Sequence, residues 1–142
     1  MFEDYKTKDW RDSFNEFSNN YKNFNEFRRQ IPKLAEAGAL EPYLNIFCQN
    51  YCVLFNQAVD SIKYFLQEKG LFQKEKKLIL SEAYYVELID DGQIWVDALT
   101  LVDYYEAGKV TDALKNLIIV YSTDNYFKIF DKLNKTLEEM AG

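Results

Sequence analysis

The chain has 142 residues, of which 48% are hydrophobic and 28% charged, so it is long enough for one well-buried core and too apolar to stay unfolded. Seventeen basic residues against 23 acidic ones give a net charge of −6, and no lysine or arginine stripe is present to neutralise phosphates, which argues against autonomous nucleic-acid binding. Only 5 glycines and 2 prolines punctuate the chain, too few for the frequent turns of a sandwich or barrel, so long helices are expected.

The first periodic segment is Trp10, Phe14, Phe17, Tyr21, Phe24, Phe27 and Ile31, whose gaps average 3.5 residues and define one face of an amphipathic helix over 8–30. Arg11, Asn15, Asn19, Lys22, Asn25 and Arg28 fall on the opposite face. Pro32 biases Ile31 away from helical geometry, so the helix is expected to end near Gln30 and residues 32–42 to form a connector. Pro42 suits a first helical position. The second helix, 43–69, carries two adjacent apolar rows: Leu44, Phe47, Tyr51, Leu54, Ala58, Phe65 and Cys48, Cys52, Phe55, Val59, Ile62, Leu66. A stripe that wide belongs to a helix packed on two sides, and Gly70 sits where a left-handed cap is expected.

A third helix is predicted over 74–88, with Leu78, Ile79, Glu82, Ala83 and Val86 leaning inward and Asp90-Asp91-Gly92 as its breaker. A fourth follows over 93–107 through Ile94, Trp95, Ala98, Leu99, Leu101 and Val102, stopped by Gly108. The last, 111–139, starts at a Thr111-Asp112 cap and runs through Leu114, Leu117, Ile118 and Tyr121. It resumes as Tyr126, Phe130, Leu133, Leu137 and Met140 after a kink expected at Ser122-Thr123-Asp124. Short connectors between these elements predict one all-α domain over 1–142, an antiparallel up-and-down bundle of about five helices. Eleven Phe and eleven Tyr exceed what its inward stripes easily hold. Either some rings face a partner, or the tyrosines sit half-exposed with their polar tips in water.

There is no histidine. Imidazole metal sites, Ser-His-Asp and Cys-His catalysis and Glu-x-x-His di-iron bundles are therefore excluded. Cys48 and Cys52 are four apart inside a helix and read as packing thiols in a reducing compartment. With no secretory leader pattern and no apolar run of membrane-spanning length, the expectation is a cytoplasmic protein without membrane contact. Asp103 and Glu106 share a helix face and with Glu82 form an oxygen-ligand set, but a solvated acidic face accounts for them more simply, and no metal or cofactor is expected. Asp90-Asp91-Gly92 is too short for a calcium loop. Lys74, Lys76 and Lys77 read as solvated. Arg28 and Arg29 suit either a phosphate contact or the dipole of a helix C-terminus. Trp95 is most economically a core anchor, and Tyr104, about 180° around the helix from it, then points outward, with Tyr105 at about 80°.

The segment from Tyr43 to Met140 carries two further blocks. Ile62-Lys63-Tyr64-Phe65-Leu66-Gln67-Glu68-Lys69-Gly70 resembles Leu-Lys-x-Tyr-Leu-Glu-x-x-Gly of the nucleotidyltransferase substrate-binding subunits, helical proteins of the HEPN superfamily. Ile79 to Trp95, with Ser81-Glu82-Ala83-Tyr84 and Leu88-Ile89-Asp90-Asp91-Gly92-Gln93-Ile94-Trp95, is similar to that family's apolar pair, Arg/Ser-Glu-Ala-Phe and Gly-Leu-Ile-Asp-Asp-Gly-x-x-Trp. The resemblance implies a four-helix bundle core over 43–140, with 1–42 as an N-terminal helix and connector. It also implies a homodimer and association with a separate small nucleotidyltransferase.

Family members with an intact motif continue Trp-x6-Arg-Asn-x3-His-x-Tyr, whereas here those positions read Val102, Asp103, Ala107 and Lys109. In ribonuclease-active relatives the arginine and histidine are the catalytic pair. The resemblance thus implies a degenerate, non-catalytic accessory subunit whose candidate binding residues are Trp95, Asp103, Tyr104, Tyr105 and Glu106. Two alternatives stand beside it: a HEPN-type ribonuclease or toxin-like enzyme using replacement residues such as Tyr104, Tyr105 or Glu106, and a helical interaction module with an unrelated partner.

Overall fold

The computed structural model describes residues 9–109, 111–122 and 125–142, with the side chains of 117, 119–122, 125 and 126 left aside. Six helices account for most of them: α1 (Trp10–Glu36), α2 (Glu41–Glu68), α3 (Lys76–Tyr85), α4 (Gly92–Glu106), α5 (Asp112–Ser122) and α6 (Asn125–Ala141). Among the described residues there is no strand, and no helix is long and apolar enough to cross a membrane.

Ring contacts fix the helix directions. Along α1 and α2, Phe27 meets Tyr43, Phe24 meets Phe47 and Trp10 meets Phe65, so one number falls as the other rises and the pair is antiparallel. Phe24 and Tyr21 stack on Phe127 and Phe17 packs on Phe130, setting α6 antiparallel to α1. Trp95 packs on Phe55 of α2 and on Phe130 of α6, and Tyr105 reaches Asn45, so α4 runs against both. The helices α1, α2, α4 and α6 therefore form an up-and-down four-helix bundle, with α3 against α2 and α4 and α5 against α2, α4 and α6. One buried cluster takes residues from all six helices, and Phe17, Phe47, Tyr51, Phe55, Trp95 and Phe130 are the largest of its completely buried members. Rings held at 5–6.5 Å in tilted and edge-on pairs add to the area they bury.

Sequence periodicity and structure differ in four places. First, α1 passes through Pro32 to Glu36 instead of stopping near Gln30. The apolar row reaches the proline through Phe27 and the buried Ile31, and beyond it Leu34 is half-buried, so packing on either side of Pro32 outweighs the hydrogen bond that it cannot donate. The hairpin then closes at Gly38 (φ 68°), whose N–H donates to Ala35 while that of Ala39 donates to Leu34. Second, α3 covers only Lys76–Tyr85 of the predicted 74–88, because the same pair of bonds forms around Glu87 (φ 64°), from Glu87 N–H to Tyr84 and Leu88 N–H to Ala83. Val86 is consequently exposed rather than inward, and Leu78, within α3, is exposed as well. Third, the predicted last helix is described on either side of residues 123–124, as α5 and α6. Thr111 caps α5 as expected, its Oγ1 accepting the Leu114 N–H at 3.1 Å. The kink residues Thr123 and Asp124 lie outside the described residues, as do residue 8 at the predicted start of α1 and the side chains of Leu117, Tyr121 and Tyr126. Fourth, Met140 is about half exposed rather than inward.

Candidate functional site

The C-terminal half of α4 faces the N-terminal half of α2, and the candidate residues divide between core and surface. Trp95 is 1% exposed, wedged between Phe55 and Phe130 at 5.8 Å from each, which makes it a core anchor. Nine residues on, half a helical turn away, Tyr104 is 48% exposed with the Lys109 ammonium over its ring at 5.7 Å. Asp103 and Glu106 are exposed, and Tyr105 is half-buried. Thus Asp103, Tyr104, Tyr105 and Glu106 share one end of α4, and Trp95 lies beneath the surface.

A polar row on α2 meets them. The Tyr105 hydroxyl donates to Asn45 Oδ1 at 2.7 Å, Asn56 Nδ2 donates to Glu106 Oε1 at 2.8 Å, and Lys76 Nζ at the start of α3 donates to Asn56 Oδ1 at 2.7 Å. Lys76 is therefore a half-buried member of a chain running α3 to α2 to α4, not a solvated cation. Asn45 and Asn56, eleven positions and about three turns apart on one face of α2, complete the set. Sequence patterning gave no sign of this role, because asparagine contributes nothing to an apolar periodicity.

Beneath this row lie Cys48 and Cys52, both buried and unbridged. Burial pushes the Cys48 thiol up to about 11; burial, then the nearby Glu106 carboxylate, pushes Cys52 up to about 12. Both remain protonated at neutral pH, without the thiolate a nucleophile or soft metal ligand requires. Burial, followed by the neighbouring thiols, also raises the Tyr105 phenol. Glu82 is not grouped with Asp103 and Glu106; its Oε1 accepts from Gln73 Nε2 at 2.9 Å. Among the described residues no three Asp, Glu, Cys or His side chains are gathered as metal ligands.

Two other candidate features are resolved. Arg28 is not at a helix end: its guanidinium covers the Phe127 ring at 4.0 Å and donates to Asn25 at 3.0 Å. Asp91 occupies the cap position of α4 without bonding its amides, because its carboxylate accepts from Lys132 Nζ at 2.7 Å, with Asp90 at 3.6 Å from the same ammonium. The Asp91 hydrogen bond, followed by the Asp90 charge, raises the Lys132 pKa and ties the α3–α4 turn to α6. The position that the resemblance assigns to a catalytic arginine, 102, is a fully buried valine, and 107 is the alanine that ends α4. No known family's sequence model matches the chain, and no curated protein is detectably similar to it.

Proposed function

We propose that this protein is a non-catalytic accessory subunit of the cytoplasm that self-associates and binds a separate small nucleotidyltransferase, contributing to its substrate cleft. The observation that carries the reading is the chemistry of the α4 end. Val102 lies in the apolar core where the relatives place a cation, while Asp103 and Tyr104 beside it present acid and aromatic surface to solvent. The two thiols are protonated at neutral pH, the chain holds no imidazole, and the Glu106 carboxylate is already engaged by Asn56, all of which supports a binding role for this end. An exposed aromatic within a hydrogen-bonded frame is instead what an interface anchor requires.

The turn between α3 and α4 also supports the resemblance. The block Ile79 to Trp95 folds as helix, turn and helix, with Trp95 in the core and Asp90-Asp91-Gly92 at the bend. The test is to read the adjacent reading frame for a small nucleotidyltransferase carrying Gly-Ser-x-Asp-x-Asp and to sediment the protein with it. A complex is expected, and Tyr104→Ala is expected to weaken it by about 2 kcal/mol, the loss typical of a central aromatic anchor. A protein that ignores the nucleotidyltransferase overturns the assignment; a Tyr104→Ala variant that binds unchanged overturns only the surface.

A further inference from the structure

Between Glu41 and Asp60 the chain contains no charged residue, although charged residues make up 28% of the whole. For the buried half of α2 that is ordinary. The informative positions are the exposed ones, where a solvated helix normally carries Lys and Glu. Here they read Tyr43, Asn45, Ile46, Gln49, Asn50 and Val53, with Ile46 and Val53 47% and 51% exposed. The neutral surface continues onto α1. Asn20 Nδ2 donates to Gln57 Oε1 at 2.7 Å across the two helices, Phe27 meets Tyr43 edge-on, and a groove of about 350 Å³ opens between Asn20, Asn23, Phe27, Asn50 and Val53.

We propose that this face of α2 and α1 is where a second copy of the chain docks, as a two-fold dimer with Val53 and Ile46 near the axis; the proposal deepens the self-association stated above and rests on that reading. The argument for a second copy is electrostatic. In an isologous interface each residue near the axis meets its own counterpart, so any charge there meets a like charge. Two chains of net charge −6 repel wherever their acidic surfaces approach within a Debye length of about 8 Å. A neutral strip on an acidic chain removes that penalty at one place. A strip specialised for a basic partner would carry acid, and one for an acidic partner would carry base. Asparagine and glutamine suit a self-pairing face in a further way. Each amide holds both a donor and an acceptor, so a residue can pair with its own copy, which neither an ammonium nor a carboxylate can do. The valine and isoleucine supply apolar area, and the groove beside Val53 receives a side chain from the opposing copy. Tyr104 and Asp103, on α4, stay available for the nucleotidyltransferase.

Sedimentation equilibrium of the protein alone, over a range of concentrations, tests this without the nucleotidyltransferase. The wild type is expected to dimerise. Val53→Asp and Ile46→Asp are each expected to weaken the dimer on the order of tenfold or more with unchanged helix content, since both side chains are exposed. Mixing Val53→Asp with Val53→Lys should restore a dimer that neither forms alone. A monomeric wild type overturns the inference, while its binding to the nucleotidyltransferase is still read separately. A dimer unaffected by both aspartates overturns the face and leaves self-association standing. Lost nucleotidyltransferase binding in Val53→Asp, with dimerisation intact, overturns the division of surfaces.

Discussion

The α1–α2 hairpin and the α3–α4 connection are both helix-turn-helix units closed by the same pair of backbone hydrogen bonds, but their residues support that turn differently. At the first, Gly38 takes the left-handed conformation without a Cβ, and the helices leaving it are joined by ring pairs from Phe27–Tyr43 to Trp10–Phe65. At the second, Glu87 holds the left-handed position, Tyr84 and Tyr85 are exposed, and the connection is held by burying Leu88 and Ile89 in the core and by Lys132 against Asp90 and Asp91. At the hairpin turn itself local signal and packing agree, although α1 reaches it through Pro32 against local preference. The connection depends on the bundle it docks onto. Local preference and final structure therefore diverge at the turn that enters α4 and agree at the glycine turn that leaves α1.

The contrast predicts a steep difference in mutational cost. Phe55→Ala removes a ring with no exposed surface, packed on Trp95 and Phe130, and is expected to cost about 3–5 kcal/mol in urea unfolding. Tyr85→Ala in the α3–α4 connection removes a side chain that is 86% exposed and is expected to fall within about 0.5 kcal/mol of wild type. A loss under about 1 kcal/mol for Phe55→Ala would mean the bundle centre is packed on another face of α2.

Between these extremes lies the tie from α1 to α6. The Tyr21 hydroxyl donates to Asp131 Oδ1, and Lys135 lies 3.0 Å from the same carboxylate. The hydrogen bond from Tyr21 holds Asp131 below the ordinary carboxylate value of 3.8, and burial, then Asp131, raises Tyr21 above the ordinary 10.0. A depressed carboxylate contributes stability above its unfolded value that is lost as pH falls through the folded one. A raised phenol contributes stability below its unfolded value that is lost as pH rises through the folded one. Tyr21→Phe is accordingly expected to cost about 1 kcal/mol near neutrality, the charge-assisted bond being discounted because Asp131 is partly solvated. The gap to wild type should narrow below pH 3.8 and above pH 10.0. A gap constant across both limbs would show that the ring's packing, not its hydroxyl, carries the effect.

Much of the bundle was legible because its helices bury continuous 3.5-residue stripes, and burial obeys the same geometry that sets the spacing. With Trp95 read as a core anchor, the outward position of Tyr104 follows from 100° per residue. Three things were hidden for stated reasons. Pro32 reads as a terminator because its local penalty is visible in sequence, whereas the burial of Ile31 that overrides it is not. The end of α3 falls earlier than its pattern suggests because a left-handed cap formed by glutamate carries no compositional mark. The chain Lys76–Asn56–Glu106 joins residues twenty and fifty positions apart, a pairing that no local pattern encodes. The neutral stretch from Pro42 to Val59 was present as a one-dimensional signal, but its meaning depended on knowing which half of α2 the core covers.

The smallest effect is also the most direct test of the opening contrast. A non-glycine residue in the left-handed region carries a penalty of roughly 1 kcal/mol from its Cβ, which glycine lacks. Glu87→Gly removes that penalty at φ 64° but adds backbone freedom to the unfolded chain, an opposing effect of about 0.4–1 kcal/mol, so the expected result is a gain of no more than about 0.5 kcal/mol. The reciprocal change, Gly38→Ala, introduces the Cβ penalty at φ 68° against the same entropic effect; open space around a Cβ there means that conformation alone is at issue, and a loss of no more than about 0.5 kcal/mol is expected. Both read out as shifts of the urea midpoint at constant slope. If Glu87→Gly is instead less stable than wild type, the exposed glutamate side chain makes an attachment worth more than the strain of its backbone. The α3–α4 connection would then be anchored by residue 87 itself, in addition to the buried Leu88 and Ile89 and the Lys132 contacts to the two aspartates.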